Sequence, residues 1–384
     1  MSRPPVLKRV TLIVTALGSL AAGLAQAEQT VLIGLAGPLT GPSARIGKDL
    51  ENGAQLAIAD ANARKIQFDG ETVTFKLVSE DDQSDPRTAV AVAQRLVDEG
   101  VAGVVGHWNT GTSIPAARVY HDAGIAQVAP VATGHAYTQQ GFATSFRVMG
   151  HDDDGGRYAG QYALDDLKAR RIAVIDDRTA FGQGLAEQFA KRIEAGGGQI
   201  VAREYVDDKT VDFSAVLTNI RGKNADLIFF GGVDAQAAPL ARRIKQLGIK
   251  APLMGAGGFV SQTFLKLAQR DGEGVTALEP GLPVAQMPGG AAFEQAYQAR
   301  YKTPIELHAP FAYDGVGVLV AAIEKAGSAD PAKYLPALRD IDYQGVTGRI
   351  AFDAEGNLRN PSFTVYQVKA NQWQPVNVVG GAQP

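Results

Sequence analysis

Cysteine is absent from the 384 residues of this chain. No disulfide can therefore staple it, and no thiol is available for attachment of a lipid anchor. Long apolar runs are almost as scarce. The single one, residues 10–24, follows a basic start of Arg3, Lys8 and Arg9 and precedes Ala25-Gln26-Ala27, a small-x-small cleavage pattern. It is too short and wrongly flanked to span a bilayer, so residues 1–27 read as a cleaved secretory signal and the mature chain is expected to start near Glu28. That places the protein outside the cytoplasm, in a bacterial periplasm, where nucleotide and nicotinamide pools are missing. Basic charge is in short supply too. The formal net charge is −3, and it becomes more negative once the basic leader is gone, which argues against nucleic acid as a partner.

Catalytic and metal signatures are also missing. The glycine loop 41–49 resembles a phosphate cradle, but its glycines are one residue too far apart, and Asp49 stands where a magnesium-binding hydroxyl belongs. His107, His121, His135 and His308 have no metal-ligand spacing. The run His151-Asp152-Asp153-Asp154 reads as a solvated hinge segment. The segment 353–357 lacks the terminal bidentate glutamate of a calcium loop and reads as a turn around Gly356. No Gly-x-Ser-x-Gly elbow occurs in the mature chain. The expectation is no enzyme, no cofactor and no metal.

Forty-four glycines suit a chain with many strand-to-helix turns. Strands are expected at 31–37, 72–79, 103–105 and 126–129, alternating with helices at 47–63, 87–98 and 114–122. The alternation restarts after Phe146, with strands at 171–176, 199–205, 226–230 and 252–254 and helices at 184–194, 213–221 and 236–247. Some 350 mature residues exceed one comfortable core. The pattern predicts an α/β fold of two doubly wound parallel-sheet lobes. Crossings are expected near 147–154, 278–283 and 352–360, because 362–368 is a late strand that needs a sheet. In such sheets ligands sit beyond the carboxyl ends of the strands. There, Gly106-His107-Trp108-Asn109-Thr110-Gly111-Thr112-Ser113 ends a strand and opens a helix. Its hydroxyls and N–H groups suit a carboxylate, although helix capping alone explains them equally well.

Several motifs recur in one order: Gly34-x-x-Gly37-Pro-Leu-Thr-Gly41-Pro, Asp81-Asp82-x-x-Asp85-Pro86, Ala129-Pro130-x-Ala132-Thr133, Phe181-Gly182-Gln-Gly184, Phe230-Gly231-Gly232 and Ala312-Tyr313-Asp314. On these the chain resembles the periplasmic substrate-binding proteins of amino-acid ABC transporters, of the leucine/isoleucine/valine-binding type. The resemblance implies a type I periplasmic binding fold with lobe 1 at 28–149 and 281–352, lobe 2 at 150–280 and 353–384, and a hinge of three crossings. It further implies a monomer that closes on a small amino acid and delivers it to an inner-membrane permease. Thr110, with the backbone of Gly111, matches the family's carboxylate-holding position, and Val131 and Thr133 match the neighbouring strand end. Phe181 and Tyr313 match aromatics that close over the ligand. The acid that usually takes the ligand ammonium is replaced by Gly257. A buried ammonium without a counter-charge would cost several kcal/mol, so either Asp234 or Asp314 substitutes or the ligand has no ammonium. The alternatives are an aromatic or keto acid ligand in the same fold, and a periplasmic sensor without a transport role.

Overall fold

A computed structural model of the chain describes residues 28–381; the signal reading of 1–27 lies outside them. β1 (Glu28–Gly37) buries Val31, Ile33 and Leu35, and α1 (Ala44–Ala63) lays the expected stripe of Leu50, Ala54, Ala57 and Ile58 on it. β2 (Gln67–Phe68), β3 (Glu71–Asp81), α2 (Pro86–Asp98), β4 (Gly103–Gly106), α3 (Thr110–Asp122), β5 (Ala126–Ala129) and β6 (Ser145–Arg147) follow. The start of α2 is set locally: Asp85 accepts from the N–H groups of Arg87 and Thr88, and Pro86 occupies the first turn, where its missing N–H costs nothing. These strands form a six-stranded sheet in the order β2-β3-β1-β4-β5-β6, parallel except at β2.

The second series runs α4 (Asp152–Asp165), β7 (Arg171–Asp176), α5 (Ala180–Ala195), β8 (Gln199–Tyr205), α6 (Ser214–Arg221), β9 (Leu227–Gly231), α7 (Asp234–Gln246), β10 (Leu253–Ala256), α8 (Gln262–Ala268) and β11 (Thr276–Pro280). The chain then supplies α9 (Gly290–Tyr301), α10 (Ala309–Ala326) and α11 (Pro331–Arg339). It continues through the short ribbon β12 (Tyr343–Gln344) and β13 (Arg349–Ile350) to the hairpin β14 (Ser362–Lys369) and β15 (Gln372–Gly380). The second sheet is ordered β15-β14-β11-β10-β9-β7-β8. Its two-strand edge is antiparallel, a departure from the purely parallel expectation, because a tight hairpin rather than a helix joins β14 to β15.

Phe311, Val316, Leu319 and Ile323 of α10 share one core with Val31 and Ile33 of β1. Phe363 and Val365 of β14 share another with Ile172 and Val174 of β7. The chain thus passes between the two sheets after β6, after β11 and before β14. Helices α9 to α11 were not expected from the sequence, and α3 begins four residues earlier than its periodicity implied. Asn109 caps α3 by accepting from the Thr112 N–H (2.8 Å), and Pro115 is carried inside the helix.

Candidate ligand-binding site

The strand orders reverse at β1/β4 and at β7/β9, and the loops beyond these strand ends face each other across the gap between the sheets. There they enclose about 430 Å³ of space, part of it open to solvent. Trp108, Asn109, Thr110, Val131, Thr133, Met149 and His308 line it from the first lobe's loops and helix ends. Phe181, Val233, Gly257, Gly258, Glu279 and Pro280 line it from the second lobe's.

On the first wall, Thr110 opens α3, and its hydroxyl oxygen accepts from the Gly134 N–H at 3.0 Å, which leaves the hydroxyl proton to donate elsewhere. No hydrogen bond among the described residues takes up the N–H groups of Thr110 or Gly111. A helix N-terminus with free N–H groups beside a hydroxyl suits an anion. Thr133 is buried and its carbonyl accepts from the N–H of Asp152 at 2.9 Å; the carboxyl of Asp152 is pushed up to about 7 by burial. Asp152 is therefore not the solvated hinge residue expected: it is 4% exposed and opens α4. His308 is buried and held neutral, its pKa pushed down to about 4 by desolvation.

On the second wall, Gly257 has φ +62°, and a Cβ there would lie 3.0 Å from Cζ of Phe181. A larger residue at 257 would be strained in its backbone and against that ring. The three residues that follow turn their N–H groups onto Glu279 at the end of β11. Gly258 donates to Oε1 (2.9 Å) and Oε2 (2.8 Å), Phe259 to Oε1 (2.9 Å) and Val260 to Oε1 (3.1 Å). Glu279 is 2% exposed, and burial pushes its carboxyl up to about 7 despite those donors. No sequence reading singled it out, although the rule that ligands meet strand carboxyl ends covers its position.

Four other expected site residues lie elsewhere. Gly111 sits one residue behind Thr110 on α3 and does not line the space. Asp234 opens α7 and is 4% exposed. Its carboxylate is paired with Arg45 and accepts from Ser261 Oγ (2.5 Å) and the Ala235 N–H (2.8 Å), so it is committed before any ligand arrives. Tyr313 is turned away from the gap: its hydroxyl donates to Asp60 (2.7 Å), and its ring meets Phe293 edge-on. Asp314, fully buried on α10, accepts from the N–H groups of Val346 (2.8 Å) and Thr347 (2.8 Å) and from Thr347 Oγ1 (2.6 Å). It pins the loop before β13 and is no candidate for a ligand ammonium. Asp49, read as hostile to phosphate, has its own structural task. It accepts from the N–H groups of His308 (2.8 Å) and Ala309 (2.9 Å) at the start of α10. Among the described residues no cluster of His, Asp or Glu has a metal-holding arrangement, and no helix is long and apolar enough to cross a membrane.

Known proteins match this arrangement along most of its length. The family model described as periplasmic binding protein covers residues 30–372. The leucine-, isoleucine-, valine-, threonine-, and alanine-binding protein of Pseudomonas aeruginosa is 34% identical over 350 residues, 90% of this chain and 92% of that protein. The leucine binding protein LivK of Thermotoga maritima superposes with a TM-score of 0.83 at 26% identity, covering 91% of this chain and 98% of its own. The branched-chain amino acid transporter substrate binding protein LivJ of Streptococcus pneumoniae, solved with isoleucine, gives 0.82 at 26% identity over 92% and 100%. The chain belongs to the periplasmic binding protein family, with the type I fold of two α/β lobes.

Proposed function

We propose that this protein captures a small aliphatic amino acid, of the branched-chain class, between its lobes and hands it to an ABC permease in the inner membrane. The observation that carries the reading is the cavity itself. One wall offers the Thr110 hydroxyl and the free Thr110 N–H at the start of α3 for a carboxylate, and the remaining surface is largely apolar, with Val131, Met149, Phe181 and Val233 for a side chain. The relatives named above are named for binding leucine, isoleucine or valine, which agrees with that apolar lining. Residues 28–149 with 281–352 act as one body and 150–280 with 353–384 as the other. Closure follows because contacts from both bodies reach the ligand only in the closed state. The chain is exported by a cleaved leader, works as a monomer and performs no chemistry on its ligand.

Thermal unfolding with a panel of amino acids and organic acids tests this. A ligand present at 100 times its Kd adds about 2.7 kcal/mol of stability, so leucine, isoleucine or valine should raise Tm by several degrees. A panel in which only aromatic acids shift the transition overturns the reading.

A further inference from the structure

An amino acid carries a cation as well as an anion, and the residue expected at the cation's position is a glycine held in a left-handed conformation against Phe181. Asp234 and Asp314, the two acids nearest in sequence pattern, are engaged by Arg45 with Ser261 and by the 346–347 loop. One acid in the cavity lining is left, Glu279. Its Oε1 takes three N–H groups, whereas Oε2 shares only that of Gly258 and retains a free lone pair. The loop that has lost its own acid therefore uses its backbone to brace a carboxyl delivered by the neighbouring strand.

We propose that Glu279 is the counter-charge for the ligand's ammonium group, and that capture of an amino acid drives a proton from the Glu279 carboxyl into solvent. The proposal rests on the cleft reading above. In the cleft the carboxyl is desolvated and stands near a second buried acid, Asp234, itself neutralised by Arg45. Tyr366 of β14, its own pKa raised by burial and by the Glu279 charge, stays neutral beside it, and neutral His308 faces the same space from the start of α10. These surroundings disfavour a bare carboxylate, and its pKa stands at about 7. An ammonium beside Oε2 reverses the balance. The balance is simple: Glu–COOH plus ligand–NH3+ gives the Glu–COO⁻/ligand–NH3+ pair plus one H+ released to buffer. Affinity for an amino acid should then fall as pH falls below about 7, approaching tenfold per pH unit.

Titration calorimetry of the intact mature protein with L-leucine, in two buffers of different ionisation heat, reads the released proton directly. Roughly half to one proton per leucine is expected at pH 6.5 and close to none at pH 8.5. Glu279→Gln should weaken leucine at least ~100-fold and bind it at millimolar concentration without proton release. It should hold 4-methyl-2-oxopentanoate, leucine with a carbonyl in place of the ammonium, as well as the wild type does. Asp152→Asn removes another raised carboxyl near the cleft and should leave the proton release in place. Leucine binding without proton release at pH 6.5, release abolished by D152N but kept by E279Q, or an E279Q Kd within threefold of wild type would each overturn the proposal. Should E279Q fail to fold, the wild-type and D152N proton counts decide. A wild-type protein that binds no amino acid sinks the cleft reading as well; one that binds leucine without a proton sinks this proposal alone.

Discussion

Glu279 and Asp314 are both buried carboxyls braced by backbone N–H groups of a neighbouring loop, and burial raises both, to about 7 and about 6. Their difference lies in what they face. Asp314 accepts on both oxygens from Val346 and Thr347, with the Thr347 hydroxyl adding a third bond, and it faces only protein. Glu279 takes three N–H groups on Oε1 and one on Oε2, and it lines the interlobe space. A buried acid enclosed by protein is part of the scaffold. One that lines a cavity is a request for a cation. Sequence pattern alone does not separate the two: Asp314 sits in a family-like motif, and Glu279 in a segment that reads as a crossing between lobes.

The comparison is broken most forcefully on the scaffold side. Asp314→Ala orphans two backbone N–H groups and a hydroxyl in the interior, and should destabilise the protein by about 3 kcal/mol. A lower urea midpoint should therefore accompany a leucine Kd that stays near wild type in the protein that remains folded. A normal midpoint with lost binding would mean that the two acids have exchanged roles.

The site's two halves can be set apart in the same way. Thr110→Val removes the hydroxyl that accepts from Gly134 and faces the cleft. A hydrogen bond to a charged group contributes about 1.5–3 kcal/mol, so affinity should fall on the order of 10–100-fold. Because Thr110 addresses the carboxylate, leucine and 4-methyl-2-oxopentanoate should suffer alike, whereas Glu279→Gln penalises leucine only. Equal Kd values for wild type and T110V, measured by calorimetry, would remove α3 from the site.

Much of this was legible beforehand. Short apolar runs alternating with 3.6-periodic segments located both βα series, because the central strands β4, β5, β9 and β10 are buried along their whole length, and Thr110, Val131, Thr133, Phe181 and Gly257 all line the space. What escaped was tertiary. Helix α10 is apolar on nearly all sides, since it is sandwiched between α1 and the first sheet, so it has no polar face to reveal its period. Asp314 and Tyr313 sit in a family-like motif whose residues serve packing here. Glu279 was hidden because Leu278–Pro283 was read only as a crossing between lobes. A segment can be both a hinge and a strand's carboxyl end.

The smallest expected effect concerns Arg45, in the first turn of α1, which reaches across the gap to Asp234 at the start of α7 and also holds Glu306 of its own lobe at 2.9 Å. The Arg45 side chain is 27% exposed and that of Asp234 only 5%. Water screens one partner, and the other keeps Ser261 Oγ and the Ala235 N–H when the guanidinium is lost. A partly exposed pair contributes about 1 kcal/mol or less. Arg45→Gln should therefore weaken leucine only about two- to fivefold, mainly through faster dissociation in stopped flow, with the deficit shrinking at high salt. Glu306→Gln, which breaks only the contact within the first lobe, should leave the dissociation rate unchanged. The same substitution tests the electrostatics of Glu279. With Arg45 gone, Asp234 acts on Glu279 without compensation and raises its proton affinity further. The pH at which leucine binding stops releasing protons should then move upward in R45Q, and a shift downward would show that Arg45 acts on the cleft by some route other than charge.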